Sequence, residues 1–284
     1  MTLKDSLRPS RDGRPLHDER GAMTAIDDAA DRLRAAAQDG RPCAPVRDVL
    51  PAGAIGDAYA VQQVNTQRAL DGGGRLVGWK IGLTAPAVQR QLGVGQPDFG
   101  VLLADGAFGD DEPISLQRLL QPAVEAEVAF VLDRDLRDAP VTAVDVLRAT
   151  AFVLPVIEVV DSRIAGWDIT IVDTIADNAS SGVFVLGPNP TRLSDVDLRE
   201  VRMTMTCEGE KVSEGCGAAC LGHPVNAVVW LANTLAALGR PLEAGHVVLS
   251  GALGPMVTVG GPGQYEAVLD GLGSVRATFT RDQT

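Results

Sequence analysis

Apolar positions recur along this chain in two periods, and the strand period dominates. Near the start, Ile26, Ala29, Ala30, Leu33, Ala36 and Ala37 fall at helical spacing up to Gly40, with Thr24 and Asp27 placed as an N-terminal cap. After a Pro-punctuated link, Asp57 to Leu70 predicts a second helix, closed by Gly72-Gly73-Gly74. Helices are also expected from Ala85 to Leu92, near Thr142 to Ala151, and from Pro224 to Leu238, the last with Pro at its first position and Gly239 beyond its end. Elsewhere the pattern is that of strands: Arg75 to Thr84, Val124 to Leu132, Phe152 to Val160, and a series from Val201 onward with tight turns at Glu208-Gly209 and Asp270-Gly271. Strands outnumber helices, and the strand–helix alternation of a doubly wound sheet is missing. The pattern therefore predicts an α+β fold that is mainly β, with a mixed sheet. Residues 1–22 show no periodicity and are expected to be a disordered extension, with Met23 as an alternative start. Residues 23–284 are expected to form a single domain, a helical lobe over 23–74 and a β-rich core over 75–284.

Composition narrows the function. A chain of 284 residues with 45% hydrophobic content can bury a sizeable core. The net charge of −12, with no basic run, argues against nucleic acid and anionic membrane surfaces. No apolar stretch reaches membrane-spanning length; the best candidate, Val225 to Leu238, is interrupted by Asn226, Asn233 and Thr234. Residues 1–21 lack an apolar signal core, and four cysteines without framework spacing suit a reducing compartment. A cytoplasmic protein is expected.

Candidate chemistry centres on carboxylates set in apolar strands. In Val124-Glu125-Ala126-Glu127-Val128, alternation points both glutamates to one face and Val124, Ala126 and Val128 to the other. Glu158 sits inside Phe152-Val153-Leu154-Pro155-Val156-Ile157-Glu158-Val159-Val160, a run that reads as a strand buried on both faces. An unpaired carboxylate there is costly, and two carboxylates at about 4 Å repel by roughly 4 kcal/mol at an effective dielectric of 20. A hard divalent cation, Mg²⁺ or Mn²⁺, turns that repulsion into attraction. A Glu-x-Glu pair alone is more often a solvated sheet face; Glu158 tips the reading toward metal.

Other positions carry two readings each. Gly78, Lys80 and Gly82 share a strand face, so Lys80 has room beside it for a ligand or a close backbone; the alternative is an ordinary lysine on an edge strand. Asp98 lies in the turn-rich Gly95-Gln96-Pro97-Asp98-Phe99-Gly100 and reads as a turn residue. Asp177-Asn178-Ala179-Ser180-Ser181-Gly182 is a polar loop suited to presenting hydroxyls and N–H groups, or a plain turn. Cys207, Cys216, Cys220 and His223 lack structural-zinc spacing, and the thiols read as small buried hydrophobes. His246, before a Val-Val-Leu strand, reads as a packed core histidine. With three histidines and no Gly-x-Ser-x-Gly, a Ser–His–Asp hydrolase is unsupported, as is a nucleotide cofactor.

Taken in order, Gly78-Trp79-Lys80-Ile81-Gly82-Leu83-Thr84, Gln96-Pro97-Asp98-Phe99-Gly100, Val124-Glu125-Ala126-Glu127, Glu158 with Asp161-Ser162-Arg163, Asp177 to Gly182, and Gly222-His223-Pro224 resemble the 2-keto-4-pentenoate (2-hydroxypenta-2,4-dienoate) hydratases of the fumarylacetoacetate hydrolase superfamily. The resemblance runs from about residue 24 to the C-terminus. It implies the superfamily's mixed β-sandwich roll, a divalent metal on Glu125, Glu127 and Glu158, and roles near the substrate for Lys80, Asp98 and Ser180. It further implies a homo-oligomer, a place in meta-cleavage catabolism of aromatic compounds, and a complex with a 4-oxalocrotonate decarboxylase. A metal would lower the pKa of a nearby Lys80. The rivals are 4-oxalocrotonate decarboxylase, an acylpyruvate hydrolase, and a non-catalytic β-rich binding or assembly protein. Ala126, where decarboxylases usually carry Pro, and the Pro97-to-Gly100 segment lean to the hydratase. The acylpyruvate hydrolase would want a His–Glu base, and no histidine sits near a site motif.

Overall fold

In the computed structural model of the chain, which describes residues 19–51, 53–85, 89 and 94–281, two helices precede the first strand. Helix α1 (Glu19–Asp39) buries Ala29, Ala30, Leu33 and Ala36 of the predicted stripe, while Ile26 is half-buried and Ala37 is exposed. It begins before Thr24, which therefore lies inside the helix and does not cap it. Of the expected N-terminal extension, residues 1–18 fall outside the described residues, and Glu19 is already helical. Helix α2 (Ile55–Asp71) follows as expected and ends at Gly72. The helix expected over 85–92 falls almost wholly outside the described residues.

The remaining elements are mostly strands. They run β1 (Leu76–Gly82), β2 (Asp98–Leu103), β3 (Ala107–Gly109), β4 (Pro113–Ser115), β5 (Pro122–Leu132), α3 (Ala143–Ala149), β6 (Thr150–Asp161), α4 (Ile171–Ala176) and β7 (Ser181–Leu186). Then come β8 (Arg202–Cys207), β9 (Glu210–Cys216), α5 (Pro224–Ala237), β10 (Val247–Leu249), β11 (Val257–Thr258), β12 (Gly263–Leu269) and β13 (Gly273–Thr280). Thr142 and Asp145 form a reciprocal capping box on α3, which fixes where that helix begins.

The larger sheet has the order β2-β1-β10-β5-β6-β7-β3, with β11 on β5; the smaller has β4-β13-β12-β8-β9. Both β1–β10 and β3–β7 are parallel, so the large sheet is mixed. One face of β5 and β6 buries Val124, Ala126, Val128, Phe130, Val153, Ile157 and Val159 in the main core, together with Ala267, Val275 and Ala277 of the smaller sheet. Each of the valine, isoleucine and phenylalanine side chains among them is worth about 1.5–3 kcal/mol of transfer free energy. The opposite face carries a separate apolar cluster of Leu102, Ala129, Leu154, Val156, Phe184 and Leu249. Beside that cluster lie the polar residues that matter.

Candidate metal centre

Register places the acids. Across the β5–β6 ladder Glu125 is directly opposite Glu158, and Glu127 sits two residues along the same face. One oxygen from each of the three carboxylates lies within 4.8 Å of the others. Glu127 and Glu158 are fully buried and Glu125 is half-buried. Glu127 Oε2 accepts a hydrogen bond from the Gly251 N–H at 2.7 Å, while Glu127 Oε1 and Glu158 Oε2 are buried with no partner. Burial, then the charge of Glu158, pushes Glu125 up to about 7. Burial and the two neighbouring glutamates drive Glu127 well above the carboxylate range, and burial raises Glu158 against the pull of Lys80. Buried, mutually repelling oxygens with unused lone pairs are the donor set of a hard divalent cation. The residues fit the metal that their pattern suggested.

Lys80 is not on an edge. Its strand β1 lies between β2 and β10, and its ammonium is buried 3.1 Å from Glu158 Oε1 and 3.0 Å from the Ala179 carbonyl, to which it donates. Burial by itself lowers the lysine's pKa, but Glu158, Asp98, Glu125 and Glu127 together outweigh it and raise the value. With no cation among them, the carboxylates hold Lys80 protonated. The glycine two residues on makes this crowding possible, since a Cβ at Gly82 would stand 2.2 Å from Asp98 Oδ1 and 3.4 Å from Lys80 Nζ.

Asp98 is no turn residue either. It is the first residue of β2, paired with Gly82 and buried, and its Oδ2 accepts from Thr174 Oγ1 at 3.4 Å. Burial raises its pKa against the opposing charge of Lys80. Thr174 Oγ1 also lies 3.3 Å from Ser180 Oγ, so Asp98, Thr174 and Ser180 form one line of polar atoms. The polar loop is a buried left-handed turn, with Asn178, Ala179 and Ser180 at φ values of +56°, +52° and +52°. It packs directly on β2, because Gly100 leaves the Asn178 carbonyl oxygen 2.3 Å from where a Cβ would stand.

All six candidate residues thus lie around one buried centre. Pattern reading did not find Thr174, the Ala179 carbonyl or the Gly251 N–H, none of which carries a signal in the chain. Among the described residues the glutamates are the one group of three or more that could hold a metal. Cys207, Cys216, Cys220 and His223 do not converge; Cys220 Sγ contacts the Ser250 carbonyl and His223 Nδ1 accepts from Val225 N–H at the start of α5. His246 is half-buried and accepts from the Glu243 N–H, a turn cap in place of the core histidine expected.

Fold and centre together define a class of proteins in which a curled mixed sheet carries three clustered carboxylates that could hold a divalent cation. Residues 80–280 match the family described as Fumarylacetoacetate (FAA) hydrolase C-terminal. The chain is 57% identical over 256 residues to a 2-keto-4-pentenoate hydratase from Burkholderia vietnamiensis, covering 90% of this chain and 98% of that one. It is 56% identical over 257 residues to the TodF product hydratase of Pseudomonas putida F1, covering 90% and 96%. A solved 4-oxalocrotonate decarboxylase from Pseudomonas putida G7, complexed with magnesium and adipate, superposes with a TM-score of 0.86 at 33% identity over 94% of this chain and all of that one. The chain belongs to the fumarylacetoacetate hydrolase superfamily and, within it, to the 2-keto-4-pentenoate hydratase family.

Proposed function

We propose that the chain adds water to 2-hydroxypenta-2,4-dienoate to give 4-hydroxy-2-oxopentanoate, in the meta-cleavage breakdown of aromatic compounds, with Mg²⁺ or Mn²⁺ on Glu125, Glu127 and Glu158. The observation that carries it is the convergence of three glutamates, two of them fully buried, beside a buried lysine, in a chain 57% identical to a 2-keto-4-pentenoate hydratase. When bound, the cation supplies Lewis acidity to the substrate's carboxylate and adjacent 2-oxygen. The chain's own groups handle the protons. An ammonium has three donors, and Lys80 commits one toward Glu158 and one to Ala179. The third, which has no partner among the described residues, can donate to the 2-oxygen as that atom gains charge, an interaction strengthened by the dry surroundings. The dienol loses its O–H proton and gains one at C5, giving the 2-oxo-3-enoate; water then adds at C4 and a proton at C3. The Asp98–Thr174–Ser180 line supplies groups that accept and return those protons and orient the water.

The decarboxylase reading has one specific support, the 33% identical structure. Incubating the purified chain with Mn²⁺ and either 2-hydroxypenta-2,4-dienoate or 4-oxalocrotonate separates the two. Hydration of the first without CO₂ from the second is expected; CO₂ release without hydration reverses the assignment. Homo-oligomerisation, a cytoplasmic location and pairing with a 4-oxalocrotonate decarboxylase belong to the same proposal. The likeness of fold to such a decarboxylase supports the pairing, and light scattering of the chain alone and with that partner tests the assembly. No helix among the described residues is long and apolar enough to cross a membrane.

A further inference from the structure

The turn that offers its carbonyl to Lys80 is itself gripped from outside the site. Asn178, Ala179 and Ser180 are consecutive L-residues in a conformation each disfavours, so the turn keeps its shape only where neighbours over-determine it. On one side the Asn178 side chain is zipped to the backbone of Val101, accepting from its N–H at 2.7 Å and donating to its carbonyl at 2.9 Å. On the other side stands Arg163. Its Nη1 donates to the Ser181 carbonyl at 2.7 Å, its Nε to Asp177 Oδ1 and its Nη2 to the Asp177 carbonyl, while its backbone N–H donates to Asp177 Oδ2 at 2.9 Å. One planar guanidinium therefore holds the residue before the turn and the residue after it, as only a forked donor can.

We propose that Arg163 is a positioning residue for the reaction: by fixing the Asp177–Ser181 turn it fixes the Ala179 carbonyl, and through that carbonyl the ammonium of Lys80. The inference rests on the role given to Lys80 above. Lys80 hangs on a flexible four-carbon stem, and Ala179 and Glu158 are the two groups that hold its end. The glutamates stand on β5 and β6, anchored by the ladder, and among the described residues the Arg163 side chain makes its hydrogen bonds to Asp177 and Ser181. Loosening Arg163 shifts the proton-handling group and leaves the metal ligands in place. The expected signature is a loss in kcat with KM and cation affinity preserved.

The conservative variant Arg163→Lys keeps the charge but cannot reach both ends of the turn. A displacement of about 1 Å at a reacting group costs on the order of 100-fold, so kcat should fall by roughly 30–100-fold, with KM and the calorimetric Mn²⁺ affinity changed by less than about threefold. Arg163 lines two surface cavities of about 240 and 430 Å³, which open a route to the vacated space. Millimolar guanidinium should therefore restore part of kcat to Arg163→Ala, and urea at the same concentration should not. Should Arg163→Ala fail to fold, Gly100→Ala carries the second arm: its methyl meets the Asn178 carbonyl oxygen at 2.3 Å and pushes the same turn from the other side, giving the same split. Wild-type kcat in Arg163→Lys or Gly100→Ala overturns the proposal. So does a loss of activity that merely follows lost Mn²⁺ binding or a lower Tm, which marks a structural role. A wild-type chain that binds Mn²⁺ but leaves the dienoate unchanged sinks the functional reading and this one with it. A wild-type chain that turns over beside an undiminished Arg163→Lys sinks only this one.

Discussion

On β12 and β13 the side chains alternate as a half-solvated pair should, with Ala267, Val275, Ala277 and Phe279 buried while Glu266 and Arg276 face each other on the outer side. On β5 and β6 the alternation puts apolar residues on both faces, and carboxylates stand where the second cluster would otherwise continue. The two sheets share strand chemistry but treat charge oppositely. The outer charges of the small sheet are spread over exposed pairs such as Arg202–Asp270, which contribute little. The large sheet concentrates glutamates where water cannot screen them, at a cost that stability alone does not explain. Such a local loss of consistency is the mark of a working site.

That contrast can be broken most severely at the glutamates. Glu125→Gln, or chelation of the wild-type protein, should reduce dienoate hydration to background while circular dichroism shows the fold retained; full turnover in excess chelator removes the metal from the chemistry. Lys80→Met should lower kcat by about 10²–10⁴-fold, with much weaker effects on cation binding measured by calorimetry.

Stability should move the other way. Glu127→Gln keeps an acceptor for the Gly251 N–H but removes a carboxylate whose ionisation burial and the neighbouring glutamates oppose, and should stabilise the metal-free protein by about 1–3 kcal/mol in urea denaturation. The pH dependence follows the same logic. In the folded metal-free chain Glu125 is raised from 4.5 to about 7, so the folded state binds more protons than the unfolded state between those values. Its contribution is therefore present at low pH and lost as pH rises through 7, and the metal-free protein should become less stable over that window. Mn²⁺, which requires the deprotonated carboxylate, should bind up to tenfold more weakly for each unit below 7 per proton released. A flat affinity from pH 5.5 to 8 contradicts the raised value. The smallest effect belongs to the other sheet: Arg202→Ala should change stability by less than about 0.5 kcal/mol and leave turnover unaltered.

Much of this was legible in the chain because strand register is legible. Alternation put Glu125 and Glu127 on one face, and the apolar run around Glu158 announced a carboxylate that needed a partner. The helices of the lobe and α5 followed from apolar spacing, terminal glycines and the Pro that opens α5, whereas the cap expected at Thr24 fell inside α1. What pattern could not supply was the neighbour across space. Lys80 looked as much like an edge residue as a buried one, because β1 is enclosed by β10, which lies more than 160 residues later. Asp98 sits among turn formers yet opens a strand, since Gly82 gives it room. The left-handed turn contains no glycine at its three positive-φ positions and so carried no local sign of its shape; tertiary contacts impose it.

The three residues of β10 separate β1 from β5 in the large sheet. Lys80 and the first two glutamates are thus made early, yet the strand that sets their spacing leaves the ribosome roughly ten seconds later at ~5–20 residues per second. Until then both flanking strands expose raw edges of the kind that invite pairing with other chains. Half-made copies should need shielding by holdase chaperones, and nonsense fragments ending before residue 247 should accumulate as insoluble material, never as inactive but soluble protein.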